Sequence, residues 1–211
     1  MRFTIAAVCL ASLSAASPVI GRATSSDLLL SFGFHLVINV TDASRDLAGE
    51  PVHGRYVQSI HIDPPHNLLG ASRSLCSPGP RPYHREPAII FGLTTRLDEG
   101  SRDVSTLRLD AGPGQPGLNI ARPPNGHALV VGMDNLAVCN EAVPYYGGQK
   151  FSILKQFLNR TGGGVVPHDC APVSLIAECT KPNNLQRGAL AGLKHVLPSL
   201  CHKNTSAIDW A

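Results

Sequence analysis

The chain has 211 residues, of which 43% are hydrophobic, 16% charged and 5% aromatic, with a formal net charge of +3. So small a charge, with no basic run, argues against a nucleic-acid partner. No apolar stretch beyond the first residues is long enough to span a bilayer as a helix or to form a lipid-anchor tail, so no membrane anchor is expected.

At the start, Arg2 precedes an apolar run from Phe3 to Leu13 and then the small residues Ser14, Ala15, Ala16 and Ser17. This order reads as a secretory signal peptide over residues 1–16, cut after Ala16, because the apolar run is too short to anchor and is closed by small side chains. A mature chain of about 195 residues is ample for one domain with a real core. The expected location is secreted and extracellular.

Strand signals then follow one another. From Phe32 to Val40 apolar side chains alternate, Phe34, Leu36, Ile38 and Val40 on one face against His35, Val37 and Asn39 on the other. Tyr56–Ile62, Ala88–Thr94, Val104–Leu109, Leu118–Ala121, Ala128–Val131, Leu136–Cys139 and Val173–Ala177 are short, rich in aliphatic or β-branched residues, and separated by Gly, Pro, Asn and Asp. Phe151–Leu158 fits a strand better than a helical turn. The segment Ser72–Glu86 is proline-rich and basic and reads as a loop pinned by Cys76. From Asn184 to Leu200 the spacing of Leu185, Ala189, Leu193, Val196 and Leu197 suits a helical face that Pro198 should end. The fold expected is all-β, an antiparallel sandwich or barrel of about eight short strands over residues 27–182, with a short C-terminal helix in a helical or irregular extension, 183–211.

Beyond Cys9 in the signal, the cysteines are Cys76, Cys139, Cys170, Cys179 and Cys201. In an oxidising compartment they are disulfide candidates, and the odd number leaves one thiol, assigned to Cys76 or Cys201 from their loop and tail settings. Cys170 and Cys179 bracket one strand, joined to each other or to neighbours. Neither Cys-x-x-Cys nor a zinc-type Cys/His spacing occurs, so no metal is expected. Asn39, Asn159 and Asn204 head N-x-S/T sequons and are candidate glycosylation sites.

Four strings resemble the landmarks of a family of small secreted fungal proteins known as a domain of unknown function: F-H-L-V-I-N-V-T-D-A-S-R-D-L (34–47), D-A-G-P-G-Q-P-G-L-N-I (110–120), V-C-N-E-A-V-P-Y-Y-G-G (138–148) and C-A-P-V-S-L-I-A-E-C (170–179). The resemblance implies a fungal extracellular β-rich protein with Cys139, Cys170 and Cys179 as the family's cysteines. It brings no catalytic residue, and Cys76, Cys201 and the tail after Thr180 depart from the pattern.

No Gly-x-Ser-x-Gly elbow is present. The densest histidines, His53, His61 and His66, lack ligand-helix spacing, and Asp63, Asp98, Glu99, Asp110, Asp134 and Glu141 mostly adjoin turn residues, where acidic side chains serve the backbone. The glycine-containing loop 110–117 lacks the lysine and helix of a phosphate loop. Adjacent Tyr145 and Tyr146, before Gly147-Gly148, are the best binding candidates, able to stack on a sugar or grip a protein surface. The expected function is a non-catalytic extracellular binding or wall-associated β domain without a cofactor. A glycan-directed hydrolase with a carboxylate site and a structural wall protein are the alternatives.

Overall fold

The computed structural model describes residues 28–63, 66–72, 91–121, 126–158, 165–182 and 198–208. Among them the chain forms twelve strands in one sheet: β1 (Leu28–Ser31), β2 (Gly33–Val40), β3 (Tyr56–Asp63), β4 (His66–Ser72), β5 (Phe91–Leu97), β6 (Val104–Ala111), β7 (Asn119–Ala121), β8 (Leu129–Val131), β9 (Leu136–Val143), β10 (Gln149–Phe157), β11 (Cys170–Thr180) and β12 (Ser199–His202). All-β architecture is therefore established, and Phe151–Leu158 is indeed strand except for its last residue.

Of sandwich and barrel, the pairings select a closed ring. β2 pairs β3, β3 pairs β4, β4 meets β10 at Gly70–Ile153, β10 pairs β9, β9 pairs β11, and β11 returns to β2 through eight residue pairs. β6 bridges β4 and β10 and carries β5 at the outer edge. Closure removes the edges that short strands would otherwise expose.

Alternation then sorts the side chains. Ile38 and Val40 of β2, Leu107 of β6, Val138 of β9, Leu154 of β10 and Leu175 of β11 turn into one core. Their outward neighbours are not uniformly polar: Val37 and Ile176 are buried as well. A second apolar cluster, Ile60, Leu68, Val143 and Ile153, lies on the opposite face of β3, β4, β9 and β10.

Two disulfides form, Cys139–Cys170 and Cys179–Cys201. Cys139 and Cys170 are direct partners in the β9–β11 register, which brings their Cα atoms to 4.5 Å. Assignment of a free thiol to Cys201 is thus corrected: β12 runs parallel beside β11 and places Cys201 within 5.1 Å of Cys179, Cα to Cα. Cys76 lies outside the described residues. So does most of the expected C-terminal helix, but its end differs from expectation. Ser199–His202, assigned to the helical or irregular extension, is a strand that pairs β1 residue for residue, because here Cys201 and His202 are buried against the sheet. Helical geometry among the described residues is confined to three 3-10 turns, 43–45, 144–146 and 205–207.

The last of these turns is held by Glu178. Its carboxylate accepts from the Thr205 backbone N–H at 2.8 Å, from the Thr205 hydroxyl, and from the Tyr56 hydroxyl at 2.9 Å. Burial alone would raise its pKa, but these hydrogen bonds, with nearby His35, outweigh burial and hold it below the ordinary glutamate value. A depressed folded-state pKa contributes stability that is complete above the ordinary value and is lost as pH falls through the lowered one. Protection of the 199–208 amides from hydrogen exchange, relative to their intrinsic rates, is therefore expected to fall as pH drops below the ordinary glutamate value, and the step should vanish in Glu178→Gln. An unchanged pH profile in that variant would assign the acid sensitivity elsewhere.

Candidate functional site

The β9–β10 hairpin builds the most conspicuous surface feature. Pro144 opens a 3-10 turn, with its fixed φ suited to a first helical position. Gly147 closes the turn in the left-handed region (φ 65°) while its N–H donates to Pro144 O at 2.9 Å. Tyr145 and Tyr146 thus ride on a hydrogen-bonded turn and not on a loose loop. Neither is in the core: Tyr145 is 59% exposed and Tyr146 39%.

Tyr146 is fixed by its hydroxyl, which donates to His61 O at 2.8 Å, and by its ring, tilted 5.0 Å from that of Phe151. Tyr145 stands edge-on to both His61 (5.8 Å) and Tyr146 (5.2 Å), so the contacts orient the ring and leave much of it to solvent. Beside it runs a groove of about 390 Å³ on the barrel's outer wall, floored by Leu68, Val143 and Ile153. Its polar side chains are Asp63, Thr106, Arg108, Glu141 and Lys155.

Their partnerships differ. Lys155 is largely buried and ion-paired to Asp98 at 2.7 Å and to Glu141 at 3.5 Å. Asp98 also accepts from the Thr106 hydroxyl at 2.6 Å. The Arg108 Nε is shielded from solvent and finds no hydrogen-bond acceptor among the described residues. The groove therefore combines an aromatic plate, an apolar floor, cationic donors and carboxylate acceptors, a set suited to a polyhydroxylated ring.

Other candidates disperse. His53 accepts from Val40 N–H, His61 contacts the Asn67 side chain and His66 pairs with Asp110 at 3.0 Å, so the three histidines serve separate local contacts. No group of three or more His, Cys, Asp or Glu suited to a metal occurs among the described residues. Asp110 is further engaged by the Thr94 hydroxyl, and the loop after it packs its backbone on β5. Asn39 donates to the Ser174 hydroxyl across β2 and β11, whereas Asn204 is exposed and caps the 205–207 turn; Asn159 lies outside the described residues. Arg108 and Lys155 were not singled out by sequence reasoning. The only local signal was a cation on the outward phase of each strand, which is ordinary for solvated residues.

A family model described as "Domain of unknown function (DUF7907)" matches residues 83–179, a span that contains the turn and most of the groove. The "Antigenic protein SchS34" of Stachybotrys chartarum is 36% identical over 204 residues, covering 86% of this chain and 90% of that protein. No solved structure matches.

Proposed function

The chain belongs to the family described as a domain of unknown function (DUF7907), and from that premise we propose that it is a secreted, non-catalytic module that binds extracellular glycan at the Tyr145 groove. The single observation behind this reading is the exposed ring of Tyr145, held edge-on by His61 and Tyr146 beside a groove with both donors and acceptors. A pyranose lays its C–H face on the tyrosine while its hydroxyls exchange hydrogen bonds with Arg108 and Glu141. Removal of residues 1–16 on export and glycosylation at Asn39, Asn159 or Asn204 belong to the same reading. Both disulfides and the absence, among the described residues, of a helix able to cross a membrane are consistent with it.

One observation favours a hydrolase as second reading: Asp98 and Glu141 both reach the Lys155 ammonium at the groove. Glycoside cleavage needs two carboxyl groups flanking the scissile bond, however, and here an ammonium occupies the space between them. Co-sedimentation of the secreted protein with insoluble fungal wall glucan and chitin, scored together with release of reducing ends, separates the readings. Retention without release is the expected outcome; release of soluble sugar would establish the hydrolase, and no retention on any polysaccharide would remove the glycan reading.

A further inference from the structure

The barrel interior is not filled to its rim. Leu36, Val57, Leu93, Leu109, Leu118 and Val130 pack against the main core and also line a cavity of about 480 Å³ that opens to the surface. This lies within the size range of small-molecule pockets, and barrel mouths are a recurrent place for them. It is distinct from the Tyr145 groove, which lies on β3, β4, β6, β9 and β10 and shares no lining residue with it.

The lining restricts the occupant. Among the described residues no Asp, Glu, Lys or Arg faces the cavity, and its polar side chains are His35, Ser59, Asn119 and Ser199. His35 sits edge-on to Tyr56, whose hydroxyl donates to Glu178, so its ring is already engaged by the protein. An anionic headgroup would thus find no dedicated cation. An inserted peptide would bring backbone N–H and C=O groups among six aliphatic side chains with few partners for them. Water is ill served there for the same reason. A hydrocarbon body with one hydroxyl matches both the apolar wall and the few uncharged polar groups.

We propose that this cavity binds an uncharged, largely hydrocarbon lipid, a long-chain alcohol or sterol-like molecule. The ligand would complete the core that these side chains leave unfinished, each buried methylene adding favourable transfer free energy.

The test uses the secreted, disulfide-bonded protein and the neutral dye N-phenyl-1-naphthylamine, displaced by 1-hexadecanol or by palmitate. Saturable uptake of one dye per chain is expected, with 1-hexadecanol displacing it at least about tenfold more effectively than palmitate. Filling the cavity by Val57→Phe or Val130→Phe should weaken dye binding at least about tenfold while the circular dichroism and thermal transition stay native-like. Val130 lies on the three-residue β8, which is not itself a ring strand and joins the ring only at Leu129–Ile176, so its variant keeps the test decisive if Val57→Phe fails to fold. Absent or non-saturating dye uptake, or unchanged uptake in a folded filled variant, would overturn the site. Equal displacement by palmitate would overturn the assignment of a neutral ligand.

Discussion

Replacing Cys139 and Cys170 together by alanine is expected to lower global stability by about 3.5 kcal/mol, from the chain-entropy cost of releasing a loop of this size. The bridge spans 31 residues and ties β9 to β11, adjacent strands of the ring that share only three register pairs. Both cysteines are buried beside Ala137 and Phe157, so their sulfurs also contribute packing that alanine does not replace. Urea unfolding of the double variant measures the loss; a shift below about 1 kcal/mol would show that the ring closes without its staple. The Cys179–Cys201 bridge, spanning 22 residues, has a different position. It holds β12 to β11, which are otherwise joined in register only at Glu178–His202. Its removal should raise hydrogen exchange in β1 and β12 before it affects the ring.

Gly92→Ala is expected to be the most damaging single glycine substitution described by this fold. A Cβ at Gly92 would lie 2.7 Å from the Pro113 carbonyl carbon, and closer still to Gly114 N and Cα, all of them backbone atoms that cannot rotate away. The loop would have to leave β5, breaking the bond from Gln115 N–H to Leu93 O (2.8 Å) and that from the Thr95 hydroxyl to the Gln115 side chain (2.8 Å). A loss of about 3 kcal/mol follows from overpacking and the two lost bonds. Gly49→Ala, where no atom lies within 4 Å and only the left-handed backbone (φ 79°) opposes a side chain, should cost about 1 kcal/mol. Equal midpoints for the two variants in urea would contradict the packing argument.

Most of the strands were legible because alternation is local: Leu36, Ile38 and Val40 announce a buried face without reference to any other part of the chain, whereas β1, β4 and β12 were not foreseen. Ambiguity at Phe151–Leu158 had a physical cause. Ser152 to Phe157 are all buried, with Leu154 in the core and Ile153 in the outer cluster, so the period-two signal that marks a half-exposed strand is erased. Cysteine pairing was illegible for the opposite reason. Whether Cys139 faces Cys170 depends on register between segments 31 residues apart, and Cys201 acquires its partner only when β12 docks parallel to β11.

The candidate site was half legible. Tyr145 and Tyr146 stood out as adjacent aromatics before two glycines, but nothing nearby in sequence foretold that His61 would orient one ring. Nor did it foretell that Asp98, from the turn after β5, and Glu141, from β9, would meet at Lys155. Such convergence is a property of the closed sheet, which draws β3, β4, β6, β9 and β10 around one groove.

The central claim is that this groove reads glycan through Tyr145. Isothermal titration of the secreted protein and of Tyr145→Ala with a neutral hexose oligosaccharide tests it most directly, because the exposed ring can be removed with little effect on the fold. The account predicts a saturable heat for the native protein and an affinity at least about tenfold lower for the variant, the loss of one stacking contact of about 1.4 kcal/mol. Indistinguishable isotherms for the two proteins would contradict it.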